Sequence, residues 1–298
     1  MLLLSCSSKL RLLEGTLRRS LPETLPVHSA VMNINRGNVA GHEVLMDSWP
    51  EFKAVLIRPN REVASDDSDF YTNTYAVHYR DLSACRTLLV SAINWDQAFR
   101  IHGLRDGLYE ASREIAQTKG SQLDVHRYFM YFHPDPSSMP EIRVSPHLQS
   151  TWHRKDRGEP MATPTGQGAV RLSSLDVSHV DLLNETWRFG GNEKSRKYLA
   201  SLIRHFPSAC LLDATGHPVS WDTSDVFGAL GAAYTLPQHR GRGYNRVLTS
   251  VMAKRLHSLG YPIYGNVAVE NFQMQRLQDL QGFQRLPSLF YLVQCNTA

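Results

Sequence analysis

Leu10, Leu13, Leu17 and Leu21 recur at helical spacing near the start of the chain, and Pro22 ends the run. An apolar position every third or fourth residue gives a helix one face to bury, so a first helix is expected here. The β-branched stretch 27–34 reads as a strand, closed by the turn-forming Asn35-Arg36-Gly37-Asn38. Residues 41–48 read as a short helical segment before Trp49-Pro50. Residues 53–58, apolar between Lys53 and Arg58, form a compact buried strand, and the aromatic, β-branched 72–79 forms another, with a polar loop at 60–68 between them. Helices are expected over 82–90 and 107–118, and a strand over 126–132. This half mixes α and β and carries no catalytic motif of its own.

From Pro134 to Gly168 the chain turns to proline, serine, threonine, glycine and charge, the composition of a connector, most clearly over 146–168. Domains are therefore expected over 1–145 and 169–298, with 146–168 as the linker. The second region opens with a short strand at 169–172 and a helix at 176–187 that sets Val177, Val180, Leu183 and Trp187 on one face. A helix at 193–205 stops at Pro207, and strands at 210–213 and 218–223 flank the hairpin signal Ala214-Thr215-Gly216. A strand of small residues at 226–236, a loop at 238–245 and a helix at 246–259 capped by Gly260 come next. A strand at 263–269, a helix at 271–280 ended by Gly282 and a final strand at 289–293 close the chain.

Composition narrows the classes. The 298 residues are 42% hydrophobic and 20% charged, ordinary globular usage. No apolar run approaches the length of a membrane-crossing helix, so a soluble chain is expected. The net charge of +4 is a mild excess that suits a polyanionic cofactor, but the basic residues are scattered, which argues against nucleic acid as a partner. Cys6, Cys85, Cys210 and Cys295 lie far apart without metal-ligand spacing, so reduced thiols and no metal are expected. Lys9, Arg11, Arg18 and Arg19 against the single acid Glu14 give the first residues the character of a mitochondrial presequence, while the leucine spacing is equally that of a packed first helix. A mitochondrial compartment is expected, with the cytoplasm as the alternative, and a monomer.

One segment carries chemistry. Arg240-Gly241-Arg242-Gly243 lies between a strand and a helix, where glycines let backbone approach a ligand and the helix N-terminus offers unpaired N–H groups to an anion. Arg240 and Arg242 add charge-assisted donors. The tetrapeptide alone would serve equally as a tight solvated turn; its context points further. Residues 236–244 (Leu236-Pro237-Gln238-His239-Arg240-Gly241-Arg242-Gly243-Tyr244), set between strand and amphipathic helix, resemble motif A of the GCN5-related N-acetyltransferase (GNAT) superfamily. Val267-Ala268-Val269-Glu270-Asn271, with Leu277, Leu280, Gly282 and Phe283 beyond, is similar to its motif B.

A narrower resemblance spans nearly the whole chain. Asn33-Ile34-Asn35-Arg36-Gly37-Asn38, Asp47-Ser48-Trp49-Pro50-Glu51-Phe52, Tyr71-Thr72-Asn73-Thr74-Tyr75 and Asn94-Trp95 resemble the N-terminal domain of the glycine N-acyltransferase family. Gly190-Gly191-Asn192-Glu193, Pro218-Val219-Ser220-Trp221 and Tyr234-Thr235-Leu236-Pro237 resemble its C-terminal domain. The resemblance implies an α+β fold of two GNAT-like mixed-sheet domains, the first a degenerate copy and the second carrying the acyl-CoA site. It implies direct transfer of an acyl group from acyl-CoA to glycine or a similar amino acid, without an acyl-enzyme. Leu236, Gln238, Arg240, Gly241, Arg242, Gly243, Tyr244, Asn245 and Asn271 are then the coenzyme-binding residues. Tyr234 and Asn271 are the catalytic candidates, with an exposed N–H near Tyr234 as donor to the thioester oxygen.

Three departures stand out. The family's proposed general base, a glutamate, aligns with Ala229, which cannot move a proton; Asp225, His239 and Glu270 are substitutes only through water. Asn245 stands where motif A has glycine or alanine in the register set by Arg240 and Gly243; a second register, Gln238-x-x-Gly241-x-Gly243, satisfies the letters but spaces the helix less well. Gln278 occupies the place of a tyrosine that protonates the leaving thiolate in many relatives. These leave two alternatives beside the glycine N-acyltransferase: a CoA-binding protein that has lost turnover, and an N-acetyltransferase of other amines.

Overall fold

The computed structural model describes residues 1–139 and 170–296. The expected linker at 146–168 lies outside the described residues. In chain order the elements begin with β1 (Leu2–Leu3), α1 (Ser7–Arg18), α2 (Leu25–Asn35), β2 (His42–Met46), β3 (Ala54–Pro59), β4 (Thr74–Tyr79) and α3 (Leu82–Ala92). They continue with β5 (Phe99–Leu104), α4 (Asp106–Lys119), β6 (Leu123–His133), β7 (Arg171–Ser173), α5 (Val180–Thr186), α6 (Glu193–His205), β8 (Ser208–Leu212) and β9 (Pro218–Ser224). The last are β10 (Leu230–Thr235), α7 (Tyr244–Ser258), β11 (Ile263–Ala268), α8 (Phe272–Leu280) and β12 (Gln284–Cys295). The fold is α+β.

Two compact units cut across chain order. One holds Met1–Pro134, Val226–Ala229 and Tyr261–Ala298; the other holds Asp135–Asp225 and Leu230–Gly260. In the first, strands run β1-β2-β3-β4-β5-β12-β6-β11, antiparallel throughout except for the parallel pair β4 and β5. Alternation along its strands feeds two cores. Val44, Met46, Val55, Ile57 and Ala76 point to one face, where Leu10, Leu13 and Leu17 of α1 and Val27 and Val31 of α2 cover them. Leu45, Leu56, Tyr75, Val77, Phe99 and Ile101 point to the other, against Leu88 and Leu89 of α3 and Leu108 and Ile115 of α4. A sheet buried on both faces gives near-continuous apolar strands, and β3 is one.

The second unit is smaller. Its strands run β10-β9-β8-β7, all antiparallel. Trp221, Cys210 and Leu212 face Leu183 of α5 and Leu199 and Ile203 of α6. α7 packs across β8, β9 and β10, burying Leu248, Met252 and Leu256.

Two sequence expectations are reversed. Residues 27–34 are helix α2, not a strand: Leu25, Val27, Ala30 and Val31 are all buried, Pro26 starts the helix, and burial on nearly every side hides the amphipathic period. Residues 42–46 are strand β2, not a helix, pairing β3 with Val44 opposite Ile57. The expected strand 226–236 begins only at Leu230, and the expected helix 176–187 opens as a 3₁₀ turn over Val177–His179 before α5. Cys85, Cys210 and Cys295 are buried free thiols, and Cys6 is exposed. Among the described residues no helix is long and apolar enough to cross a membrane, and no group of side chains is placed to hold a metal ion.

Candidate active site

β10 is bulged where the expected donor lies. Gly231 pairs with Thr223 and Tyr234 with Trp221, so Ala232 and Ala233 together stand opposite the single residue Asp222. Ala232 has a left-handed backbone, φ +51°. A bulge takes backbone groups out of the ladder and re-aims them, which is how a strand can present an N–H to a ligand. Tyr234, immediately after it, is half-buried and stacks on Trp221 with ring centroids 5.5 Å apart. Its carbonyl accepts from Ser220 Oγ at 3.1 Å, and Ser220 Oγ also lies 2.7 Å from Thr235 Oγ1. Tyr234 is thus held by its ring and its backbone.

The strand leads into the motif. Leu236 N donates to the Val219 carbonyl (3.0 Å), and Pro237–His239 form a 3₁₀ turn with Gln238 exposed. Arg240 turns back: its Nε donates to the Thr235 carbonyl at 3.1 Å, and its guanidinium carbon lies 5.4 Å from the centre of the Tyr234 ring. This fixes the cation beside the end of β10. Gly241 and Gly243 both have φ +76°. A Cβ at either would meet no protein atom within 4 Å, so the left-handed backbone, not crowding, is what calls for glycine.

Gly243 is the N-cap of α7 and supplies no side chain, so the first amides, from Tyr244 onward, have no capping partner. The first turn contains no acid and Arg242 and Arg246 stand exposed beside it. Uncapped amides, the positive end of a 15-residue helix and three arginines make a strong anion-binding geometry. His239 stacks on Tyr244 at 6.4 Å, with Nδ1 buried and without a hydrogen-bond partner.

Opposite the bulge stands a buried acid that is not among the expected site residues. Asp222 on β9 is 2% exposed. Burial pushes its carboxyl up to about 8, and its Oδ1 has no hydrogen-bond partner. Thr249, on α7, donates to Asn245 Oδ1 at 3.3 Å. The available signal was an acid in the middle of an expected strand; the structure buries every residue of that strand.

Asn271, Gln278 and Ala229 lie in the other unit. Asn271 is the exposed N-cap of α8; its Oδ1 accepts from the Met274 amide at 3.1 Å. Gln278, on α8, is buried with Nε2 3.9 Å from Met274 Sδ and Oε1 without a partner. Ala229 precedes β10 instead of lying within it, and packs with Leu25, Leu104, Met130, Tyr264 and Phe290. Asp225, in the same unit as the glycine loop, directly follows β9 and lies outside the strand.

Known proteins match the chain along nearly its whole length. A family model described as aralkyl acyl-CoA:amino acid N-acyltransferase matches residues 1–207, and the model of that family's C-terminal region matches residues 209–296. The chain belongs to the aralkyl acyl-CoA:amino acid N-acyltransferase family. It is an acyltransferase that draws on an acyl-CoA and an amino acid. Glycine N-phenylacetyltransferase of Bos taurus is 36% identical over 90% of each chain. Glycine N-acyltransferase of Homo sapiens is 35% identical over 93% of each. The X-ray structure of a Drosophila protein, 13% identical, shares the fold with a TM-score of 0.73 over 99% of this chain and 98% of its own.

Proposed function

We propose that this protein transfers the acyl group of an acyl-CoA to the amine of glycine, releasing N-acylglycine and CoA. The observation that carries the acceptor is the 35% identity to human glycine N-acyltransferase across 93% of both chains. The anion geometry at the head of α7 supports a pyrophosphate there, held by backbone amides from Gly243 on and by Arg240 and Arg242. In the step itself the amine lone pair attacks the thioester carbon, the C–S bond breaks, and the thiolate leaves to take up a proton. Amides of the Ala232–Ala233 bulge receive the charge that develops on the thioester oxygen.

The amine must first lose a proton. Residue 229 is an alanine methyl in an apolar cluster, so the proton passes to water and the reaction depends on the free-amine fraction of glycine. Basic, exposed Lys9, Arg11, Arg18 and Arg19 on α1 and its end support a mitochondrial compartment.

The test follows free thiol with acyl-CoAs of several chain lengths and glycine, glutamine or a peptide as acceptor. Glycine-dependent release is the expected outcome; release with peptide alone would overturn the acceptor. The glycine rate should rise about tenfold per pH unit below the amine's own pKa, and a plateau well short of it would reveal a protein base.

A further inference from the structure

Near the start of the chain the leucines divide between core and surface. Leu4, Leu10, Leu13 and Leu17 enter the core of the first unit. Leu2, Leu3 and Leu12 stay exposed, Leu12 by 63%. On α1 the helical neighbours of Leu12 are Ser8, Lys9, Gly15 and Thr16. Arg19 Nη2 donates to Thr16 Oγ1 at 3.1 Å, which folds the guanidinium back toward the same side. Arg11 and Arg18 are two turns apart and nearly aligned, and make a second exposed row. β1 adds to this surface. Leu2 stands opposite Met46 and Leu3 opposite Leu45, and Met46 and Leu45 belong to the cores on opposite faces of the sheet. The edge of the sheet therefore shows a leucine on each face.

The charge on this stretch is uncompensated. None of Lys9, Arg11, Arg18 and Arg19 forms an ion pair among the described residues, whereas Arg58, Arg86, Arg105 and Arg196 each meet a carboxylate. Glu14, the one acid in residues 1–19, is turned to Asn35, whose Nδ2 donates to it at 2.6 Å.

We propose that this face of the first unit is a docking surface for an anionic lipid bilayer. Lys9, Arg11, Arg18 and Arg19 lie against the headgroups, and Leu2, Leu3 and Leu12 enter the interface. Four uncompensated cations call for a negative partner. The leucines say which kind: a nucleic acid offers phosphates to the arginines but nothing to Leu12, and a rigid protein surface covers one face of a sheet edge, whereas lipid surrounds both. β1 ends the sheet, so its outer amides and carbonyls have no neighbouring strand among the described residues. That holds the edge at headgroup depth, where water still reaches it.

Co-sedimentation of the full chain with phosphatidylcholine vesicles, with and without phosphatidylserine, tests this. The wild type should bind the phosphatidylserine vesicles at least about tenfold more tightly, and lose most of that advantage at about 1 M salt. Lys9→Gln with Arg11→Gln should weaken binding about 25-fold, about fivefold for each charge at the surface. Leu12→Gln should weaken it about fivefold. All three positions are exposed, so thermal unfolding of these variants should match the wild type. Equal binding to both kinds of vesicle, or well-folded variants that bind as the wild type does, overturns the proposal. So does capture of a short oligonucleotide in place of the vesicles, which would make the basic rows a nucleic-acid surface. Cys6 gives a readout that needs no variant of these residues. It is exposed and lies between β1 and α1, while Cys85, Cys210 and Cys295 are buried. A polarity-sensitive fluorophore on Cys6 should shift to the blue with phosphatidylserine vesicles. A protein that binds them without that shift docks through another surface, and the assignment falls.

Discussion

His42 and Phe227 lie face to face, their rings 5.4 Å apart and within 12° of parallel. Phe227 belongs to the short Val226–Ala229 segment, which the first unit absorbs among its own side chains. The buried Tyr264 hydroxyl donates to the Phe227 carbonyl at 2.6 Å, and Asn33 Nδ2 donates to the Val226 carbonyl at 3.1 Å. Gly228 follows at φ +83°, where an added Cβ would lie 2.9 Å from Ser29 Cβ.

That packing makes stability depend on acid. Burial lowers His28, His42 and His78 from 6.5 to about 4 each, and ring nitrogens of all three lack hydrogen-bond partners. Arg105 and Arg80 near His78 add to its shift. The folded values lie below the unfolded one, so their contribution is complete above about pH 6.5 and is lost as pH falls toward about 4. Urea unfolding should show stability falling over this window, by at most about 3 kcal/mol for each histidine. His42→Phe should flatten part of the slope; an unchanged slope would remove His42 from the account.

Gly228→Ala should destabilise the first unit by about 1–3 kcal/mol, through both the left-handed backbone and the Ser29 contact. Thermal unfolding would show it, and a melting temperature equal to wild type would mean that the segment has room to shift.

Tyr234 works through its ring, which bridges Trp221 and Arg240. Tyr234→Phe should leave kcat within about threefold of wild type, because the stack and the cation contact survive. Tyr234→Ala should raise the KM for acyl-CoA by freeing Arg240. A loss of about a hundredfold in kcat for Tyr234→Phe would instead make the hydroxyl a catalytic acid or base.

Gly243→Val should weaken CoA binding at least tenfold. It imposes about 1–2 kcal/mol of left-handed strain and puts a branched side chain at the cradle of the first α7 amides. Equilibrium binding measures this directly, and an unchanged affinity would move the pyrophosphate away from the loop.

Leu13 is fully buried between α1 and the sheet, and β1 pairs with β2 through Leu2 and Leu3. Leu13→Ala should cost about 2–5 kcal/mol. Removing residues 1–18 should strip α1 from one face of the first unit's core and leave only α2 over it, seen as loss of cooperative unfolding.

Local signals decided several elements. α6 runs from Glu193 to His205 as its residues require: Asn192 and Ser195 form a capping box, and Pro207 follows its end. The glycine loop was equally legible, since Gly241 and Gly243 mark left-handed positions ahead of a helix whatever surrounds them. Where burial is nearly complete the signal fails: α2 shows no polar face to betray its period, and its β-branched residues imitate a strand.

The sequence by itself determined the family, the α+β class and the anion loop, because motif order and local backbone demands are written in consecutive residues. Only the tertiary structure decided that Ala229 lies in an apolar cluster, that Val226–Ala229 leaves the strand to join another core, and that Asp222 is buried opposite the bulge of β10. These relationships join residues distant along the chain, and the burial that raises the Asp222 carboxyl is encoded by no local pattern.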